Sequence, residues 1–333
     1  MSVNGVTLQS IFAAAHAIRD VACRTPLVPA YALGRPDRDV RLKLETAQPT
    51  GAFKIRGAAN AVARLGPEAL ARGVVCASTG NHGRAVAFAA ARAGSSATVC
   101  MSGLVPENKR AAIRDLGAIV RIVGDSQDDA QAEAARLASE EGLAEIPPFD
   151  HADVIAGQGT IGIELLEDFP DLDTVVVPLS GGGLIAGIAC AIKSASPSIR
   201  VVGVSMERGA AMQASLAAGR PVDVTEEPTL ADSLGGGIGL DNRYTFAMVR
   251  ELVDDTVTIS EAGIAAAMRR LFLEEGWVAE GAGAIGIALL DERYRERLGR
   301  RIAIVVSGRN VDMGLFRRVI EGQDGPGEAR AHG

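Results

Sequence analysis

Short apolar runs rich in valine and isoleucine alternate with alanine-rich stretches along most of the chain. In the first half, residues 74–77, 97–101 and 119–123 are predicted strands, and residues 86–93, 107–116 and 128–141 are predicted helices. In the second half, the predicted strands are residues 174–179, 201–205 and 302–306, with a helix over residues 184–193. Because continuously apolar strands alternate with helices, the pattern predicts an α/β fold with parallel-rich sheets covered on both faces.

The order of these elements predicts two domains. Residues 74–148 form a small α/β domain that ends at Pro147 and Pro148, since consecutive prolines interrupt regular structure. Residues 1–73 and 149–320 form a larger, discontinuous domain, and the polar, glycine-rich residues 321–333 form a flexible tail. We expect a cofactor in the cleft between the domains.

Composition narrows the range of partners and compartments. The chain has 333 residues, 47% of them hydrophobic, and a net charge of −7. It has no dense block of lysine and arginine, so neither nucleic acid nor an anionic membrane is an expected partner. No apolar run is long enough to span a bilayer, and no export signal is evident. The four cysteines are scattered and expected to be reduced, which favours the cytoplasm.

The segment Gly51-Ala52-Phe53-Lys54-Ile55-Arg56 contains the first candidate for chemistry. It places one lysine between an aromatic ring and a glycine turn, whereas the other lysines look like ordinary surface residues. A lysine amine attacks a carbonyl only when it is neutral, so a sheltered Lys54 is a candidate for Schiff-base chemistry. The alternative is a solvated lysine whose stem alone packs against Phe53.

Two further candidates are polar loops that directly follow predicted strands. Residues 78–83, Ser-Thr-Gly-Asn-His-Gly, precede a helix, and their backbone amides suit a substrate carboxylate. The alternative for this loop is an ordinary N-capped helix start. Residues 180–183, Ser-Gly-Gly-Gly, also lie between a strand and a helix, a context that favours phosphate binding.

The last candidate loop, Ser307-Gly308-Arg309-Asn310, follows the strand over residues 302–306. The Ser307 hydroxyl can donate a hydrogen bond to an aromatic nitrogen, although it cannot protonate that nitrogen as a carboxylic acid could. The alternative is a helix N-cap before Val311.

Together, these four elements resemble the fold-type II pyridoxal-phosphate (PLP) enzymes, in the threonine/serine dehydratase and serine racemase branch. The resemblance covers nearly the whole chain and implies a two-domain fold like that of the tryptophan synthase β subunit. It implies that Lys54 carries the cofactor as an imine, Phe53 covers one ring face and Asn81 bonds the ring hydroxyl. The phosphate would be held by the backbone amides of Gly181, Gly182, Gly183 and Leu184.

By the same resemblance, Ser307 meets the pyridine nitrogen and Lys54 acts as the general base in elimination of water from a β-hydroxy amino acid. The product is a 2-oxo acid with ammonia, and a homo-oligomer is expected. The residues expected to contact substrate are Ser78, Thr79, Gly80, Asn81, His82 and Gly236.

Some positions depart from the racemases of this branch. Those enzymes carry a serine acid opposite the lysine where Thr79 stands, so elimination is favoured and racemisation is the alternative. Their cation site needs carboxylates where this chain has Ser205, Gly209 and Ala211, so we expect no metal. The stretch through residues 241–244 resembles dehydratases of hydroxyectoine breakdown, whose substrate is a modified β-hydroxy amino acid.

A function of another class is an NAD(P)-dependent oxidoreductase. Gly281, Gly283 and Gly286 match the GxGxxG pattern of dinucleotide-binding loops. No good apolar strand precedes Gly281, however, and close helix packing explains these glycines equally well.

Overall fold

Two sheets with covered faces dominate the described part of the chain, which in the computed structural model comprises residues 2–3, 5–34, 36–78, 80–105 and 107–323. The larger sheet has six strands and the smaller has four, and an antiparallel pair of two-residue strands precedes them. Within these residues the strands are β1 (Ser2–Val3), β2 (Val6–Thr7), β3 (Leu27–Pro29), β4 (Asp39–Leu44), β5 (Val74–Ala77), β6 (Ala97–Met101), β7 (Ile119–Ile122), β8 (Ala144–Glu145), β9 (Thr174–Pro178), β10 (Arg200–Met206), β11 (Asp255–Ile259) and β12 (Arg301–Val306).

Helices connect nearly all of these strands. The α-helices in the same described ranges are α1 (Leu8–Ile18), α2 (Lys54–Ala63), α3 (Pro67–Arg72), α4 (Asn81–Arg92), α5 (Glu107–Arg114), α6 (Gln127–Glu141), α7 (Ala152–Asp168), α8 (Gly183–Ala195), α9 (Ala211–Ala218), α10 (Thr245–Leu252), α11 (Glu261–Glu275), α12 (Gly281–Ala284) and α13 (Met313–Glu321). Short 3-10 turns cover Glu45–Ala47, Asp232–Leu234, Ile285–Leu290 and Glu292–Arg297.

The six-stranded sheet has the order β11-β10-β9-β12-β4-β3, and only the edge strand β3 runs antiparallel. Alternate residues of β9 enter different cores, with Val175 and Val177 on one face and Val176 on the other. Both faces are therefore covered, which explains why the strand is apolar throughout. The predicted α/β fold with parallel-rich sheets is confirmed.

The four-stranded sheet has the order β7-β6-β5-β8 and is entirely parallel. All of its strands lie within residues 74–148, while β3 and β4 come from earlier in the chain and join the larger sheet. Helix α2 and the end of α1 pack into the same core as β5 and β6. The domain boundaries themselves remain a prediction.

The chain end differs slightly from the expectation of a tail from residue 321. Helix α13 includes Glu321 and is closed by Gly322 in the left-handed conformation. Residues 324–333 of the predicted tail lie outside the described residues.

Three of the loops singled out in the sequence follow carboxyl ends of strands. β9 precedes residues 180–183, β12 precedes Ser307 and β5 precedes Ser78. Strands β9, β12 and β4 are parallel neighbours, so the loops that follow them emerge at the same edge of the larger sheet. In parallel sheets this edge is where ligands bind.

Candidate active site

Lys54 is the first residue of α2, and the loop before it is joined to the loop after β12. The Phe53 amide donates to the Ser307 carbonyl (3.0 Å), and the Arg309 amide donates to the Gly51 carbonyl (2.9 Å). These bonds form a short antiparallel bridge between the two loops. The backbone therefore places Lys54 and Ser307 at one edge of the larger sheet.

The Lys54 amine lies near backbone and aromatic groups rather than near a carboxylate. Its Nζ donates to the Pro148 carbonyl at 2.6 Å and is 5.3 Å from the centroid of the Phe53 ring. Burial lowers the pKa of Lys54 to about 8. Within the described residues no ion pair forms at this amine, and with this pKa about a tenth of it is neutral at pH 7.

The expectation that the other lysines lie on the surface is wrong for Lys43 and Lys193. Lys43 is fully buried, and its Nζ lies 2.6 Å from a carboxylate oxygen of Glu164. Lys193 is also buried and pairs with Asp254 at 2.7 Å. Both amines have a carboxylate partner within the described residues, which Lys54 lacks there.

Helix α2 is anchored by Arg56, two residues after Lys54. The guanidinium binds both carboxylate oxygens of Glu45 (2.8 Å each) and both of Glu164 (2.6 and 2.9 Å). With Lys43 on Glu164, the cluster contains two positive and two negative side chains and is buried. It fixes the first turn of α2, where no side chain caps the helix.

A buried carboxyl group that the sequence analysis missed lies beside Asn81. The Asn81 amide donates to Glu280 Oε1 (2.8 Å) and accepts from Asn310 Nδ2 (2.6 Å). Burial, with the nearby charge of Asp232, raises the pKa of Glu280 to about 8. A lone acidic residue between Ala279 and Gly281 in an apolar stretch was the only sequence signal for it.

The helix starts after two of the polar loops, residues 78–83 and residues 307–310, differ from the N-cap alternatives considered for them. Helix α4 begins at Asn81, and Gly80 at its N-cap position supplies no side-chain cap. Asn81 is instead committed to Glu280 and Asn310, so its amide does not cap the helix. The N-cap before Val311 is likewise not formed, because α13 begins at Met313 with Asp312 as its cap.

The glycine loop after β9 leads directly into α8, whose N-cap is Gly182 with a φ of +90°. A Cβ on Gly181 would collide with the Phe149 ring, and one on Gly183 would lie 2.9 Å from Phe149 Cα. Glycine is therefore needed for close packing here. The bare backbone leaves the first amides of α8 available to an anion, and Leu184 lies in that first turn.

Ser307, His82 and Ser78 occupy different surroundings. Ser307 is buried, and within the described residues its hydroxyl has no hydrogen-bond partner. His82 is buried with its Nε2 2.7 Å from the Ile146 carbonyl, so Nε2 carries the proton and donates. Burial, followed by the Lys54 charge, lowers the pKa of His82 to about 3, which keeps the ring neutral. The Ser78 hydroxyl accepts from the Gly80 amide at 3.3 Å.

Two further residues that were expected to contact substrate are Gly236 and Thr79. Gly236 lies in the left-handed conformation beside Glu226. Thr79 lies outside the described residues. Contacts among the described residues thus bring together Lys54, Phe53, Ser307 and Asn81, and Phe149 joins them to the glycine loop.

The glycines of the GxGxxG pattern are explained by packing. A Cβ on Gly281 would collide with the Leu230 carbonyl, and one on Gly283 with the Gly308 carbonyl. The segment is a short helix preceded by irregular chain, whereas a dinucleotide loop follows a strand directly.

Comparison with known proteins identifies the family. Residues 18–308 match the family model described as pyridoxal-phosphate dependent enzyme. The chain belongs to this family. It is 54% identical over 321 residues to a Sinorhizobium fredii protein assigned as a threonine dehydratase, covering 96% of this chain and 97% of that protein. It is 42% identical to the L-threonine ammonia-lyase of Thermotoga maritima, covering 95% and 78%.

Among solved structures, maize serine racemase superposes with a TM-score of 0.88 at 33% identity, covering 95% of this chain and 97% of that chain. The chain is thus a lyase of the threonine/serine dehydratase branch and has the fold-type II architecture. Its cofactor is PLP.

The described residues fit that cofactor. The glycine loop and the start of α8 suit its phosphate, the buried Ser307 hydroxyl suits its ring nitrogen, and Lys54 suits its aldehyde. Over the same residues, no cluster of three or more His, Cys, Asp and Glu side chains is arranged to hold a metal. In the described ranges no helix is long and apolar enough to cross a bilayer.

Proposed function

We propose that this protein eliminates water from a β-hydroxy amino acid, either threonine or serine or a related hydroxyectoine-derived substrate, and releases a 2-oxo acid and ammonia. The observation that carries the proposal is the Lys54 amine, which has a pKa of about 8 and is held 2.6 Å from the Pro148 carbonyl. The substrates named for the threonine dehydratase and ammonia-lyase relatives support it.

When bound, the cofactor supplies an electron sink for the substrate Cα. Lys54 removes the Cα proton as general base, while the Pro148 carbonyl orients its amine. The Cα–H and Cβ–O bonds break, and hydroxide leaves as water after gaining a proton. The resulting enamine becomes an imine, which water hydrolyses to the 2-oxo acid and ammonia.

The substrate carboxylate is assigned to the loop before α4. Ser78 offers a hydroxyl, and the amides of Gly80, Asn81 and His82 lie at the positive end of a 12-residue helix. Neutral His82 adds no charge, so backbone dipoles and the Ser78 hydroxyl provide the binding. Thr79 is proposed to face the substrate opposite Lys54.

The physiological substrate is proposed to be larger than serine, in the class of hydroxyectoine-derived β-hydroxy amino acids. The resemblance of residues 241–244 to dehydratases of hydroxyectoine breakdown supports this. A Cβ added at Gly237 would have no atom nearer than 3.9 Å, so this loop has room beside it for a substrate side chain larger than that of serine.

The test is 2-oxo acid release from threonine, serine, 3-hydroxyaspartate, phenylserine and hydroxyectoine-derived amino acids. The proposal expects release from at least one, with Lys54→Ala inactive on the same substrate. Interconversion of L- and D-serine faster than ammonia release would instead favour the racemase alternative.

A homo-oligomeric, cytoplasmic protein is also proposed. The cysteines Cys23, Cys76, Cys100 and Cys190 are free thiols, which supports a reducing compartment. Tyr31, Leu273 and Met313 expose large apolar side chains, which supports self-association. Light scattering of the purified chain gives its oligomeric state, and fractionation of the source cells gives its compartment.

A further inference from the structure

Three consecutive residues between β8 and α7 each contact a different part of the site. The Pro148 carbonyl accepts a hydrogen bond from Lys54 Nζ at 2.6 Å. Phe149 packs against Gly181 and Gly183 of the glycine loop. The Asp150 carboxylate accepts from three consecutive backbone amides, those of Arg243 (2.7 Å), Tyr244 (2.9 Å) and Thr245 (2.8 Å).

Those amides belong to the start of α10, which forms the other wall of the glycine loop. A Cβ on Gly182 would lie 3.0 Å from Thr245 Cβ and 3.1 Å from a methyl group of Val249. The glycine loop is therefore held between Phe149 on one side and the first turn of α10 on the other. Asp150 connects these two walls directly.

Two other side chains hold the start of α10, because Tyr244, at its N-cap position, makes no side-chain cap bond. Asn242 Oδ1 accepts from the Phe246 amide at 2.9 Å. The Asp150 carboxylate, 93 to 95 residues earlier in the chain, accepts from the three amides that precede Phe246. Hydrogen bonds from amides to an ionised carboxylate are stronger than neutral ones, and a negative charge suits the positive end of a helix.

We propose that Asp150 is a positioning residue that fixes the phosphate-binding glycine loop relative to the Lys54 amine. The inference rests on the proposed function, because it takes the glycine loop as the phosphate site and Lys54 as the cofactor lysine. Without the Asp150 bonds, the start of α10 separates from Phe149 and the loop loses one wall. Lys54 keeps its own bond to Pro148, so only the phosphate end of the site is affected.

The test compares PLP with pyridoxal, which has the same aldehyde but lacks the phosphate. The full-length chain is freed of cofactor, and the affinity of each aldehyde is measured from the imine absorbance in wild type and Asp150→Ala. We expect Asp150→Ala to weaken PLP about tenfold or more while pyridoxal changes less than about twofold. A purely structural role would weaken both to the same extent.

The matched control is Asp173→Ala. Asp173 also accepts two consecutive amides, from Arg300 and Arg301 (2.9 and 3.0 Å), but it precedes β9 at the opposite end of that strand from the glycine loop. It should lose a similar amount of thermal stability with an unchanged PLP-to-pyridoxal affinity ratio. Asp150→Asn keeps one acceptor oxygen and should give a smaller fall in the ratio, so it serves if Asp150→Ala does not fold.

The outcomes distinguish failure of the Asp150 proposal from failure of the proposed function. If both Asp150 variants keep the PLP-to-pyridoxal affinity ratio of wild type, the role of Asp150 is overturned and the proposed function is left intact. A fall in the ratio of the same size in Asp173→Ala also overturns it. If the wild-type chain forms no imine with either aldehyde, the proposed function fails and this inference fails with it.

Discussion

Replacing Glu280 by glutamine should remove much of the pH dependence of folding stability. In the folded chain Glu280 keeps its proton up to about pH 8, because burial and the charge of Asp232 raise its pKa from an ordinary value of 4.5. In the unfolded chain it ionises above that ordinary value. Between these two values the folded state binds more protons, so the free energy of unfolding falls as pH rises.

The magnitude follows from the two pKa values. Each pH unit in this window costs about 1.4 kcal/mol of unfolding free energy, so holding the proton on Glu280 costs about 3 kcal/mol at pH 7. A glutamine amide is neutral at all these pH values, and its oxygen can still accept from Asn81. Glu280→Gln should therefore match wild type to within about 1 kcal/mol at pH 5 and exceed its stability by about 3 kcal/mol at pH 7.

The assay is urea unfolding of the cofactor-free chain at pH 5, 6, 7 and 8, for wild type and Glu280→Gln. Glu296→Gln is the control, since Glu296 is exposed and should leave the pH dependence unchanged. Infrared spectra at pH 6 should also show a protonated carboxyl band that the Glu280 variant lacks. Parallel pH profiles for wild type and Glu280→Gln would refute the assignment of a buried neutral acid.

Three other predictions concern the groups around Lys54. Arg56→Met should destabilise the fold by about 3–5 kcal/mol in urea unfolding, because it leaves Glu45 and Glu164 buried with too little positive charge; Arg317→Met, at an exposed i,i+4 pair with Glu321, should cost under about 1 kcal/mol. Gly181→Ala should weaken PLP binding about tenfold or more in absorbance titrations, because the methyl group displaces Phe149, whereas Gly66→Ala, which meets open space, should not. The rate of imine formation by the cofactor-free chain should rise with pH and level off near pH 8, and a plateau near pH 10 would contradict the lowered pKa of Lys54.

Local patterns were sufficient to predict most strands and the loops that follow them. β9 and β12 are apolar on both faces because each face meets a core, and this shows directly as an unbroken run of apolar residues. Helix α4 begins at Asn81, five residues before the predicted start, because its polar first turn carries tertiary contacts rather than an apolar stripe.

The missed features all depend on partners far away in the chain. Asn81 and Glu280 are 199 residues apart, and Asp150 lies 95 residues before Thr245. Lys43 is buried because Glu164, on a helix 121 positions later, neutralises it. Sequence spacing carries no signal for such pairs, so a buried acid or lysine looks like a surface residue until the fold is known.

The most direct test of the account is reduction of the cofactor-loaded chain with borohydride, followed by peptide mapping. The reagent converts the imine to a stable secondary amine, and the sequence contains only four lysines that can carry it. The account predicts the pyridoxyl adduct on the peptide that contains Lys54. An adduct on Lys43, Lys109 or Lys193, or no adduct, would contradict it.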